Sequence, residues 1–284
     1  MLNNIHSQTD RNKIIAFPSY QQIQAAAYWL QYRNSNPDLE YALNLVVQGK
    51  INPCETGELI AISYNPSITQ RVTPENIQGA MMINSRNTQT SLDCNKLTTQ
   101  SLFSLVQKCG FPKKIITSIQ VKQWIRPLFL EHLQLEREYD QLVMTCTQSL
   151  LDGEGRWASL QDKPMLMAYE QEYIKERGNG NPNRDWNSLI KKRQVAVLEY
   201  SGQIVSVVRY NPVNNYALIA APFTFSKFRR QGFARKLLAF LIKELLQEYT
   251  ALKLWVDEDN IAAIALYRSL NFEQVGYCYT GYFK

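Results

Sequence analysis

Six consecutive residues, Arg229-Arg230-Gln231-Gly232-Phe233-Ala234, carry the strongest chemical signal in this 284-residue chain. They fit the pattern Arg/Gln-x-x-Gly-x-Gly/Ala, and the chemistry such a pattern serves is anion binding. The first backbone N–H groups of a helix have no intrahelical partner, and the macrodipole adds partial positive charge there. A glycine at 232 lets the backbone approach a phosphate with no Cβ in the way. From Phe225 to Lys243 there are six basic residues and no acidic ones. These residues read as a pyrophosphate cradle.

Positioning such a cradle takes a strand before it and a helix after it. The apolar run Ala217 to Phe225 reads as the strand. Ala234, Leu237, Leu238, Leu241 and Leu245 recur at helical spacing behind it, with Arg235, Lys236, Lys243 and Glu244 on the other face. Downstream, Leu252 to Val256 reads as a strand, Asp257 to Asn260 as a polar break, and Ile261 to Leu270 as a helix. A last strand runs from Val275 to Tyr279.

Arg229-x-x-Gly232-x-Ala234 followed by Asn260-x-x-Ala263-x-x-Leu266-Tyr267-x-x-x-Asn271-Phe272 resembles the GNAT superfamily of acyl-CoA-dependent N-acetyltransferases. The close resemblance covers Gln194 to Lys284. It implies an α/β (α+β) fold, with a mixed, mostly antiparallel central sheet flanked by helices. It also implies acetyl-CoA as cosubstrate, lying in a wedge between Tyr216–Phe225 and Leu252–Val256. The pantetheine amides would run along the backbone of Pro222, Phe223 and Thr224. The pyrophosphate would sit over Arg230, Gln231, Gly232, Phe233, Ala234 and Arg235, with the Arg229 and Arg230 side chains adding charge-assisted bonds. Asn260 matches the asparagine that steadies the cofactor in the family, and it also suits a helix N-cap.

Tyr267 falls where the family carries the general acid for the leaving thiolate. A tyrosine of pKa about 10 is protonated at neutral pH and can donate to a thiolate whose parent thiol has a pKa of about 8.5. The general base is not assigned. Trp255 stands where some relatives place a glutamate, so Glu170, Glu172, Glu199, Asp257 or an ordered water remain as candidates. Cys278 has no histidine partner in its half of the chain, which argues for direct transfer rather than a covalent acyl carrier.

Composition bounds the alternatives. Hydrophobic content of 45% and charged content of 20% are those of a globular protein. No apolar run approaches the ~20 residues needed to span a bilayer. The N-terminal MLNNIHSQTDRNK has no apolar signal core, so a cytoplasmic location is expected. Five scattered cysteines without Cys-x-x-Cys, and only two histidines, His6 and His132, argue against a disulfide framework and a metal site. Much of the excess behind the net charge of +6 sits around the cradle. No zinc-finger, RNP or helix-turn-helix pattern accompanies it, which makes nucleic acid an unfavoured partner and a small-molecule amine the expected one.

Residues 1 to about 20 are expected to lack regular structure. Tyr20–Gln31 and Tyr41–Gln48 read as helices separated by the breaker Asn36-Pro37. Gly57–Tyr64 and Ile77–Ile83 read as strands, and Thr98–Cys109 as a helix closed by Gly110. Lys114–Val121, Lys122–Leu133 and Tyr139–Thr147 continue as strand, helix and strand. A glycine-containing joint, Leu151 to Gly155, then divides two domains. The first, residues 1–150, is read as a degenerate acetyltransferase-like domain without a cofactor cradle. The second, residues 151–284, is read as the acetyl-CoA-binding catalytic domain, beginning with a short strand at Arg156 and a helix from Asp162 to Glu176. Loop Arg177 to Asn183 is its candidate substrate gate. Two other functions fit the sequence: a CoA-binding regulatory module whose catalysis has lapsed, and an N-acetyltransferase acting on a protein or peptide amine.

Overall fold

A computed structural model describes residues 12–149, 152–178 and 180–284. Part of the N-terminal stretch expected to be irregular, residues 1–11, lies outside the described residues, as do Leu151 and Asn179. The chain divides into two compact units. The first takes residues 1–143 together with 255–259 and 275–284, and the second takes 144–254 and 260–274.

The first unit runs β1 (Lys13–Ala16), α1 (Tyr20–Arg33), α2 (Pro37–Val47), a single turn α3 (Pro53–Thr56), β2 (Leu59–Tyr64), β3 (Ile77–Ile83) and β4 (Gln89–Cys94). It continues with α4 (Lys96–Cys109), β5 (Lys114–Ser118), α5 (Ile119–Leu130) and β6 (Leu135–Cys146). Strands β1 to β4 pair antiparallel in order, and β4 pairs parallel with β5. β1 pairs along its full length with β2, which gives regular structure to a segment expected to have none.

Alternate residues of β3 serve opposite layers. Met81 and Ile83 pack with α4 and α5 through Leu102, Phe103, Ile125 and Phe129, while Ala80 and Met82 pack with α1 and α2 through Ala26, Leu30, Leu39 and Leu43. α2 begins four residues before the sequence suggests. Asn36-Pro37 is a start rather than a break, because Asn36 accepts from the Leu39 N–H and Pro37 opens the first turn.

β4 is absent from the sequence reading because most of its buried residues are polar. Their partners lie elsewhere in the fold. Ser91 bonds Asp38, and Asp93 accepts from Ser35, from Ser118 Oγ at 3.2 Å and from Arg33 at 3.5 Å. The β4–β5 ladder ends at Ser91↔Ile116. There the Asn36 amide donates to both the Leu92 and Ile116 carbonyls, at 2.9 and 3.2 Å, and so bridges the strands where they part. The N-terminus of α4 is capped by Asn95, which accepts from the Thr98 N–H.

The second unit runs β7 (Arg156–Trp157), α6 (Lys163–Arg177), α7 (Trp186–Lys191), β8 (Val195–Tyr200), β9 (Gln203–Val213), β10 (Tyr216–Thr224), α8 (Phe233–Leu245), β11 (Ala251–Asp257, whose last three residues belong to the first unit) and α9 (Ile261–Ser269). β7 to β10 pair antiparallel in order, and β10 pairs parallel with β11. The strand–helix–strand passage β10–α8–β11 thus repeats β4–α4–β5. α6 and α7 bury Leu166, Tyr169, Trp186 and Ile190 against Val195, Val197, Val207 and Phe223. α8 buries Leu237, Leu238, Leu241, Ile242 and Leu245. The final strand, β12 (Glu273–Phe283), is longer than expected; from Val275 on it belongs to the first unit and pairs there with β5, antiparallel, Cys278 opposite Ser118 through Tyr282 opposite Lys114.

Candidate active site

Three features of β10 prepare a site. Its ladder with β11 stops at Leu218↔Lys253, so Ile219 to Thr224 continue beyond it. Its register with β9 shifts between Ala220 and Phe223, leaving Ala221 and Pro222 in a bulge. Ala221 sits at φ +49°, a conformation that side-chain-bearing residues adopt at a cost. The bulge is held from both sides. The Tyr169 hydroxyl of α6 donates to the Ala221 carbonyl at 2.9 Å, and Ser206 Oγ donates to the Phe223 carbonyl at 2.9 Å. Burial pushes the Tyr169 pKa up to about 12, against the pull of Arg209, so the hydroxyl keeps its proton at neutral pH.

Past Thr224 one 3-10 turn, Ser226–Phe228, leads to the start of α8. Arg230 (φ +60°) and Gly232 (φ +82°) are both left-handed, which turns the chain into the helix. Gly232 is the N-cap and makes no side-chain cap bond. A Cβ built on it meets nothing within 4 Å, so the space above this helix end is open. The Phe233, Ala234 and Arg235 N–H groups have no acceptor among the described residues. Phe233 itself is an anchor, its ring against Tyr200 and Phe228.

The basic side chains divide by task. Arg230 is exposed and has no partner among the described residues. Arg235 touches Ser269 Oγ at 3.4 Å and is otherwise exposed. Arg229, read from sequence as a phosphate ligand, is occupied: Nη2 reaches both Glu176 oxygens at 2.7 and 2.6 Å, and Nε donates to the Thr224 carbonyl at 2.9 Å. It ties the end of β10 to α6. Lys236 and Lys243 pair with Glu154 and Asp152.

Asn260 caps α9 by accepting from the Ala263 N–H at 3.2 Å. Tyr267 is 6% exposed and packs edge-on to Phe272. Of the carboxylates considered as bases, Glu170 is buried and accepts from Arg184 at 2.8 and 2.9 Å and from the Asn181 N–H at 2.9 Å. Burial raises its pKa, but the guanidinium and the N–H together outweigh that and leave it lowered. Glu170 is therefore the anchor of loop 177–183. Glu199 is exposed and pairs with Arg156, Glu172 is exposed, and Asp257, which belongs to the first unit, accepts from Gln141 of that unit.

Sequence reasoning missed Tyr169, the bulge at Ala221 and the Glu170–Arg184 clamp. Only Arg209, a lone charge in the apolar run of β9, carried a visible signal. Among the described residues no helix is long and apolar enough to cross a membrane, and no cluster of His, Cys, Asp and Glu could hold a metal ion.

Residues 156–272 match the family model for the acetyltransferase (GNAT) family. Solved structures with similar folds span nearly the whole chain. An acetyltransferase of the GNAT family from Colwellia psychrerythraea aligns with TM-score 0.59 at 13% identity, covering 96% of this chain and 100% of its own. A GCN5-related N-acetyltransferase from Sphaerobacter thermophilus aligns with TM-score 0.60 at 14% identity, covering 97% and 96%. A tandem GNAT protein from the clavulanic acid biosynthesis pathway aligns with TM-score 0.54 at 11% identity, covering 95% and 98%. At these identities the likeness is one of fold. No curated protein matches the sequence. Residues 156–272 are thus similar to the acetyltransferase (GNAT) family, and the chain as a whole is similar in fold to a tandem GNAT protein.

Proposed function

We propose that the protein is an acetyl-CoA-dependent N-acetyltransferase whose active site lies wholly in the second unit. The observation that carries this reading is the continuity of two features. A bulged strand runs past the end of its parallel ladder and leads directly into a helix start with no side-chain cap and open space over Gly232. Backbone groups of Pro222, Phe223 and Thr224 would hold the pantetheine arm. The Phe233, Ala234 and Arg235 N–H groups would hold the pyrophosphate, with Arg230 and Arg235 supplying charge from side chains and Gln231 lining the turn. Arg229 contributes by fixing Thr224, and Asn260 by fixing the first turn of α9.

In the reaction the acceptor nitrogen attacks the thioester carbonyl, the C–S bond breaks, and Tyr267 gives its proton to the departing thiolate. Glu170 is held by Arg184, and Glu199 by Arg156, so the proton of the attacking amine leaves through water. The first unit has no part in cofactor binding. Asn36 bridges the strands where a cofactor would enter, and Asn95 caps the helix end that would face a pyrophosphate.

The test is calorimetric titration with acetyl-CoA, at low and moderate salt. Saturable one-to-one binding that Gly232→Glu abolishes is expected, followed by amine-dependent thiol release that Tyr267→Phe reduces. No binding at millimolar acetyl-CoA would overturn the reading, and binding without turnover over a broad amine panel would leave a regulatory module.

A further inference from the structure

Arg209 is the only charged residue of β9, and its side chain is 9% exposed. It shares a strand face with Val207, which packs under α6, and stands opposite Ala220 at the edge of the β10 bulge. Its Nε lies 3.4 Å from the Tyr169 hydroxyl, the group that donates to the Ala221 carbonyl. The two Nη nitrogens have no protein acceptor among the described residues, and no carboxylate lies within ion-pairing distance. Glu170, the buried carboxylate that feels the field of Arg209, is already committed to Arg184 and the Asn181 N–H. Around Glu170 two guanidinium groups therefore stand against one carboxylate. A buried charge without a counter-charge is costly, and a ligand that brings one negative charge removes the cost.

We propose that Arg209 binds a carboxylate carried by the acceptor amine, so that the substrates are amino acids or related amine-bearing carboxylates. The proposal rests on the acetyltransferase reading. On that reading the cosubstrate's phosphates lie at the start of α8, and the arm that passes the bulge is uncharged, so the anion at Arg209 belongs to the acceptor. The residual charge is single, which matches a carboxylate rather than a phosphate dianion, and the planar guanidinium fork suits its two oxygens.

The test offers paired probes, amino acids and their carboxamides, to the wild-type protein and to Arg209→Gln and Arg209→Lys, in the presence and absence of CoA. Binding is read by calorimetry, and acetyl transfer by thiol release. In the wild type one or more carboxylates bind at least about tenfold more tightly than the matching amides. Arg209→Gln removes that preference while leaving amide affinity unchanged, and Arg209→Lys restores part of it. The proposal is overturned if carboxylates bind no better than amides, if neither binds, or if the preference survives in Arg209→Gln. The wild-type comparison decides even where a variant fails to fold. Failure of acetyl-CoA to bind would remove the acetyltransferase reading instead, while the titrations without CoA still report on Arg209.

Discussion

The Tyr169 hydroxyl and the Ala221 carbonyl, 2.9 Å apart, join helix α6 to the one peptide of β10 that leaves its ladder. The bond explains how a non-glycine residue is kept at φ +49°. Tyr169→Phe keeps the ring contacts with Trp186 and Phe223 and removes only the hydroxyl. Chemical denaturation should show a loss of about 1 kcal/mol. A positioning role further requires the KM for acetyl-CoA to rise several-fold, and an unchanged KM would reduce Tyr169 to packing.

Gly232 and Gly202 form a matched pair for separating strain from function. Both have positive φ, and a Cβ on either meets nothing within 4 Å. Alanine at each should cost about 1 kcal/mol of stability. Only Gly232→Ala should weaken acetyl-CoA binding, by about tenfold, because its methyl group enters the space proposed for the pyrophosphate. Equal affinities in the two variants would remove the cradle from this position.

Replacing the buried Glu170 by glutamine leaves the partly buried Arg184 guanidinium without its counter-ion. Breaking a buried pair from one side costs about 3–5 kcal/mol, so the melting temperature should fall markedly. Loop 177–183, released from its anchor, should become a faster site of proteolysis. A fully stable Glu170→Gln protein that had lost only activity would instead mark Glu170 as the general base.

Asp162 supplies a pH dependence of defined sign. Hydrogen bonds from Arg156 hold its pKa down at about 2 against the opposing effect of burial, with Ser159 helping. An unfolded aspartate titrates at about 3.9. The folded pKa is the lower of the two, so the stabilisation is fully present above the unfolded value and is lost as pH falls toward about 2. Thermal unfolding followed from about pH 5 to about 2.5 should therefore drop more steeply for the wild type than for Asp162→Asn.

The second half of the chain was legible where local chemistry decides structure. Asn260 caps α9, Gly232 opens α8, and Leu237, Leu238, Leu241 and Leu245 of α8 are buried as read. Legibility failed where a residue's meaning depends on a distant partner. Gln89–Cys94 hides a strand because the buried Ser91 and Asp93 are satisfied by Asp38, Ser35 and Ser118. Asn36-Pro37 carries both a stop signal and a start signal, and the helix after it settles which one applies. Arg229 has the right type for a phosphate ligand, but Glu176, far away in sequence, takes its guanidinium. Gly153, read as part of a glycine-containing joint, also makes a close approach that the sequence did not reveal: a Cβ there would lie 1.9 Å from the Phe240 nitrogen of α8.

The pairing of β12 with β5 sets an order of assembly. Cys278 and Ser118 are neighbours across the ladder yet stand more than half the chain apart in sequence. Synthesis proceeds from the N-terminus, and domains tend to fold as they emerge. β5 therefore emerges with a bare edge long before β12 exists, while the whole of 144–254 is still being made. An unpaired edge is a template for other chains. The nascent first unit is thus exposed to misassociation until the second has passed through the ribosome. A chain stopped before Val275 would hold every residue of 1–143 and still leave β5 without its partner.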